Sequence, residues 1–97
     1  MAQKGESIRN KIEFIKVQDD THTFKLADKL MEGGILCLDF NDCPKEQSER
    51  VLDFLAGVNY ATDGLVKPMK KNIFLFALKE HYRDPEIKEF ISKFSSK

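Results

Sequence analysis

The side chains that usually build catalytic or metal centres are scarce in this sequence. His22 and His81 are its only histidines and Cys37 and Cys43 its only cysteines, in 97 residues. Neither histidine opens a convincing ligand spacing for a metal, so each is expected to be a solvated residue near a helix cap or loop. The cysteines make no C-x-x-C pair. Cys37 lies in an apolar run and Cys43 just ahead of Pro44, which points to reduced thiols in a cytosolic protein. A Cys43–His81 nucleophile pair has no local support. The 16 basic side chains are matched by 16 acidic ones, so no whole-molecule field directs the chain to nucleic acid or an anionic membrane. There is no apolar run long enough to span a bilayer, and no signal peptide or lipidation motif. Gly33-Gly34 follows a helix and precedes a strand, the reverse of the order that cradles phosphate at a helix N-terminus. Asp39, Asp42 and Asp53 look like a carboxylate cluster only on paper, since the first ends a strand and the second is a cap candidate. No enzyme, cofactor or metal is expected.

What is present is regular alternation of strand and helix. Met1 to Asn10 is polar and expected to be flexible. Lys11 to Gln18 reads as a half-buried strand, with Ile12, Phe14 and Val17 inward and Ile15 as the exception. Cap candidates in Asp19 to Thr23 lead a helix with Leu26, Ala27, Leu30 and Met31 at helical spacing, ended by Gly33-Gly34. Ile35 to Phe40 is too short for a buried helix and suits a central strand covered on both faces. Pro44 opens a second helix whose stripe is Val51, Phe54, Leu55 and Val58, with a Glu46–Arg50 pair one turn apart. After an Asp63-Gly64 turn, Leu65 to Met69 is a short strand that Pro68 places at an edge. Ile73 to Leu78 is the strongest strand, and Asp84-Pro85 opens a last helix, about residues 84–94, with Ile87, Phe90, Ile91 and Phe94 inward. The order is β-α-β-α-β-β-α. It predicts a two-layer α/β sandwich: a mixed sheet of about four to five strands, two core helices and a C-terminal helix, all in one domain over 11–97.

Three features rise above this background. Lys67, Lys70 and Lys71 stand beside Phe74 and Phe76, which fits either a peptide groove with a cationic rim or an edge strand blunted by lysine over a phenylalanine core. Arg50 and Asp53 are three apart on one helix, as a surface ion pair or as a partly buried carboxylate tied to a neighbouring N–H. Gly57 costs the helix about 1 kcal/mol relative to alanine, so it marks a helix end or a place where another backbone comes close.

The run Arg50-Val51-Leu52-Asp53-Phe54-Leu55-Ala56-Gly57-Val58-Asn59-Tyr60-Ala61, then Gly64, then Ile73-Phe74-Leu75, resembles the core domain of SepF (YlmF), a bacterial cell-division protein family. Ala27-Asp28-Lys29-Leu30 and the strand Ile35 to Phe40 fit the same pattern, so the resemblance covers roughly Lys11 to Leu78. It implies a non-enzymatic adaptor whose core forms homodimers and, beyond them, curved polymers, and which binds the C-terminal tail peptide of FtsZ at the septum. By position, Gly57 matches the helix glycine linked to self-assembly and Phe74 the strand phenylalanine linked to FtsZ binding. Lys67 lies where a basic residue helps hold the tail, and Arg50, Asp53 and Phe54 belong to the helix motif. Typical members reach the membrane through an amphipathic N-terminal helix. Met1 to Asn10 is too short and polar for that, so membrane binding is not expected of this chain. Ala77-Leu78-Lys79-Glu80 departs from the family's usual Thr-Pro after the I-F-L strand, and the last helix is not secured by the motif. The alternative function is a divergent self-assembling scaffold without FtsZ or membrane binding.

Overall fold

The computed structural model describes residues 11–95. Its elements are β1 (Ile12–Lys16), α1 (Thr23–Met31), β2 (Ile35–Asp39), α2 (Lys45–Ala61), β3 (Gly64–Lys70), β4 (Ile73–Leu78), a 3-10 helix (Lys79–Arg83) and α3 (Pro85–Ser95). The expected flexible segment 1–10 lies outside the described residues. Strand order is β1-β2-β4-β3, with β1 and β2 parallel and the other pairs antiparallel, so the mixed four-strand sheet expected from the element order is present.

Both faces of the sheet are covered. On one face Leu36, Leu38, Phe40 and Phe76 pack with Leu26, Ala27 and Leu30 of α1 and Val51 and Leu55 of α2. On the other, Ile12, Ile35, Cys37, Leu75 and Ala77 pack with Ile87 and Phe90 of α3. This is why β2 and β4 are apolar at nearly every position, the pattern of a strand with no wet face. Each fully buried side chain of this kind contributes about 1.5–3 kcal/mol of transfer free energy. β1 obeys the same logic and corrects the expected alternation. Successive strand side chains point to opposite faces, so Ile12 and Phe14 meet the α3 side whereas Ile15 and Val17 join the α1/α2 core. Ile15 is not an exception but part of the second face.

Local chemistry sets the boundaries. α1 ends in a Schellman arrangement: Gly33 at φ 88° donates its N–H to Leu30 O (3.0 Å) and Gly34 donates to Lys29 O (2.9 Å). α2 starts right after Pro44, whose carbonyl accepts the Ser48 N–H at 2.8 Å. Asp84 caps α3 through its Oδ1, which accepts the Glu86 N–H at 2.8 Å. Between β3 and β4 the register slips by one residue between Pro68 and Lys70, and Asn72 takes φ 60° to complete the hairpin. The 3-10 helix was not expected. His81 holds it, with Nδ1 accepting the Leu78 N–H at 3.1 Å.

Candidate functional site

Three surfaces carry the residues singled out from the sequence, and the strand register decides which of them meet. Phe74 pairs with Pro68 and Lys67 with Leu75. Leu75 belongs to the α3-side core and Phe74 packs on the α1/α2 core. Lys67 and Phe74 therefore project from opposite faces of the sheet. Phe76, grouped with them in the sequence, is fully buried.

On the helix side Phe74 is half-buried and edge-to-face with Phe40, ring centroids 6.1 Å apart. Val66, Leu52 and Cys43 are likewise half-buried against the same core. The flank of α2 that faces the hairpin is fixed by Asn59, 1% exposed, whose Nδ2 donates to Ala77 O at 3.4 Å. Leu52 stands seven residues before Asn59, two turns back on that flank. Leu52 of α2 with Val66, Pro68 and Phe74 of the hairpin thus frames an apolar strip along the α2–β3 side. Asn59 was missed as a key residue because it occupies the third place in a Val51-Leu55-Asn59 stripe that otherwise reads as plain core. Its partner is Gly64, where a Cβ would fall 2.7 Å from the Asn59 carbonyl oxygen.

The other flank of α2 faces α1. Arg50 Nη2 pairs with Asp20 Oδ2 at 3.1 Å, correcting both expected partners, Asp53 and Glu46. Asp20 also donates its backbone N–H to Gln47 Oε1 at 3.0 Å, which straps the loop before α1 to this flank. The geometry favours this partner, because Asp20 lies alongside the flank whereas Asp53, exposed and one turn on, points outward. Phe54, placed in the buried stripe by spacing, is 43% exposed and meets Phe24, 74% exposed, edge-to-face at 5.6 Å. Gly57 sits one turn beyond Phe54, and among the described residues no atom beyond its own stretch of helix backbone lies within 4 Å of where its Cβ would be. Nothing among the described residues requires a glycine there.

On the α3 side, burial lifts the Cys37 thiol to about 11 and pushes the Tyr82 hydroxyl above its ordinary value. Tyr82 Oη donates its one proton to the Leu65 carbonyl at 2.6 Å, with the Leu75 carbonyl oxygen beside it at 3.1 Å. His81 is half-buried and burial lowers its proton affinity, so it is a structural acceptor, not the solvated residue expected. It sits by Gly34 and Ile35 at one end of β2, while Cys43 follows the other end, so they form no nucleophile pair. Among the described residues no group of His, Cys, Asp and Glu could hold a metal, and no helix is long and apolar enough to cross a membrane.

A four-strand mixed sheet with two helices on one face, one on the other, and apolar surface on both flanks of α2 defines a small α/β domain. Residues 12–80 match the family model described as Cell division protein SepF. The Cell division protein SepF of Syntrophomonas wolfei is 41% identical over 51 residues, 53% of this chain and 36% of the relative. That of Finegoldia magna is 29% identical over 69 residues, 71% of this chain and 43% of the relative. That of Lactiplantibacillus plantarum is 26% identical over 80 residues, 82% and 56% respectively. The chain belongs to the SepF family of cell-division proteins. It spans about a third to rather more than half of the length of these relatives.

Proposed function

We propose that this chain is a non-enzymatic division adaptor: it self-associates and binds the C-terminal tail of FtsZ, supporting assembly of the division septum. Membership of the SepF family supports the division role. The observation that carries the rest is the pair of unfilled surfaces on the two flanks of α2. Toward the hairpin, Leu52, Val66, Pro68 and Phe74 offer an apolar strip for the anchor side chains of an extended or helical peptide. Toward α1, Phe24, Phe54 and the bare backbone at Gly57 allow a second copy to approach closely. A single shallow strip binds weakly, and self-association multiplies it by presenting many strips to the many tails of an FtsZ filament.

The test is fluorescence anisotropy of a labelled FtsZ C-terminal tail peptide titrated with this protein. Saturable binding that Phe74→Ala weakens about tenfold, with the fold intact by circular dichroism, supports the adaptor. Absence of binding up to about millimolar protein, where specific capture is negligible, leaves the second reading: a self-assembling scaffold without FtsZ contact. The separation of Lys67 from Phe74 favours that reading, since the cationic and aromatic halves of the expected groove do not share a face.

A further inference from the structure

On the α3 side, a cleft of about 290 Å³ opens between α3 and the edge strand β3. Its floor is Leu65, 49% exposed, with Tyr82 and Ile91, and Lys67 and Lys88 stand at its rim. Five other basic side chains have a carboxylate within ion-pair distance: Lys16 with Asp42, Lys29 with Glu13, Arg50 with Asp20, Lys79 with Asp63 and Lys93 with Glu89. Lys67 and Lys88, like Lys11, Lys25, Lys45, Lys70, Lys71 and Arg83, form no such pair among the described residues. An apolar floor between two such ammonium groups is complementary to one apolar side chain flanked by carboxylates. The volume stands at the bottom of the range for small-molecule sites, about 300–1,000 Å³, so it suits a side chain better than a whole ligand.

The backbone adds direction. Lys79 donates its N–H to Asp63 O at 3.0 Å, which sets the phase of the β3–β4 ladder. In an antiparallel pair this alternation turns the N–H and C=O of Gly64 and Val66 outward, along the rim of the cleft. Pro68 has no N–H and the register slip follows it, so an added strand would stop there. Tyr82 spends its hydroxyl proton on the Leu65 carbonyl, beside that of Leu75, and serves as a fixed wall.

We propose that this cleft docks an extended acidic peptide segment of a partner protein. The segment lays one leucine- or phenylalanine-sized side chain on Leu65, Tyr82 and Ile91, pairs flanking carboxylates with Lys67 and Lys88, and borrows the outward groups of Gly64 and Val66. The cleft lies across the sheet from Phe74 and does not depend on the adaptor reading. An anionic membrane surface is the other source of negative charge. The short run of outward backbone groups favours a peptide over a flat bilayer.

The experiment titrates a short blocked peptide, glutamates flanking one phenylalanine, into the isotope-labelled protein and follows amide shifts by NMR. Saturating shifts at Leu65, Val66, Lys88 and Ile91 are expected. The Lys67→Glu, Lys88→Glu variant, altered only at exposed side chains, should bind at least about tenfold more weakly, as should a glutamine version of the peptide. Phe74→Ala should leave this binding unchanged, which separates the cleft from the proposed tail strip. Shifts confined to other surfaces, or equal binding by the charge-reversed variant, overturn the proposal. So does co-sedimentation with phosphatidylglycerol vesicles without any peptide binding, which would assign the lysines to a membrane.

Discussion

Gly57 and Gly64 lie seven residues apart around the end of α2, and alanine at the two positions should have effects of opposite sign. At Gly64 the new methyl would stand 2.6 Å from Asn59 Cγ and 2.7 Å from the Asn59 carbonyl oxygen. Asn59 cannot easily step aside. It is buried, its Nδ2 donates to Ala77 O, and its carbonyl accepts from the Thr62 N–H at 3.2 Å and Thr62 Oγ1 at 3.0 Å. Overpacking of this kind costs about 1–3 kcal/mol, and a weakened buried hydrogen bond adds about 1 kcal/mol. The smaller entropy of the unfolded alanine chain returns about 0.4–1 kcal/mol. Gly64→Ala should therefore destabilise by about 1–3 kcal/mol. At Gly57 the methyl meets nothing beyond its own helix backbone among the described residues, and helix propensity alone should stabilise by about 0.8–1 kcal/mol. Urea unfolding followed by circular dichroism, at a concentration low enough to keep the protein monomeric, reads both. A Gly64→Ala variant within about 0.5 kcal/mol of the parent would refute the packing argument, and a destabilised Gly57→Ala would show an internal role that the structure does not contain. Sedimentation of Gly57→Ala and Gly57→Lys then tests assembly. A tighter fold with weaker self-association is the expected combination, and unchanged assembly would remove Gly57 from the interface.

The remaining predictions follow from single contacts. Burial lowers the proton affinity of His81 from its ordinary 6.5, and its Nδ1 must stay unprotonated to accept the Leu78 N–H. Its contribution is present above that pH and lost as pH falls, so the protection of the Leu78 amide, taken relative to its intrinsic exchange rate at each pH, should fall on acidification, and His81→Gln should abolish the dependence. Tyr82 has the opposite sign: burial raises it from 10.0, so its contribution is complete below that pH and fades as pH rises above it. Tyr82→Phe, which removes the donor to Leu65, should cost about 1–2 kcal/mol in urea unfolding. A thiol reagent at about pH 8 should modify half-buried Cys43 and spare Cys37, whose thiol burial holds at about 11. Mass spectrometry showing Cys37 modified in folded protein would contradict that core assignment. Arg50→Ala should lower stability by less than about 1 kcal/mol, because the Asp20 pair is solvent-exposed.

Much of this fold was legible because its signals are local. Ile35 to Phe40 announces a strand covered on both faces, Ile73 to Leu78 announces a strand, Asp84-Pro85 announces a helix start, and Pro68 announces an edge. What failed depended on register and distance. Lys67 and Phe74 look like neighbours in sequence, but they fall on opposite faces because Lys67 pairs with Leu75 and Phe74 with Pro68. Arg50 finds Asp20, thirty residues away, across an approach of α1 and α2 that no helical spacing encodes. Phe54 fits the helical stripe by period yet lies at its margin, where Phe24 and solvent share it. The 3-10 helix has no periodic signature, being held by one histidine acceptor. Nor does the apolar stripe of α3 say which face of the sheet it covers. That choice required β1, β2 and β4 to be apolar on the side away from α1 and α2.

The central claim, that this chain joins FtsZ filaments through the FtsZ tail, is tested most directly by co-sedimentation. FtsZ polymerised with GTP, and FtsZ truncated before its C-terminal tail, are each pelleted with this protein, alongside the Phe74→Ala variant. The protein should pellet with intact filaments, stay in solution with tail-less ones, and be lost from the pellet when Phe74 is replaced. Equal pelleting with both filament types, or none with either, would contradict it.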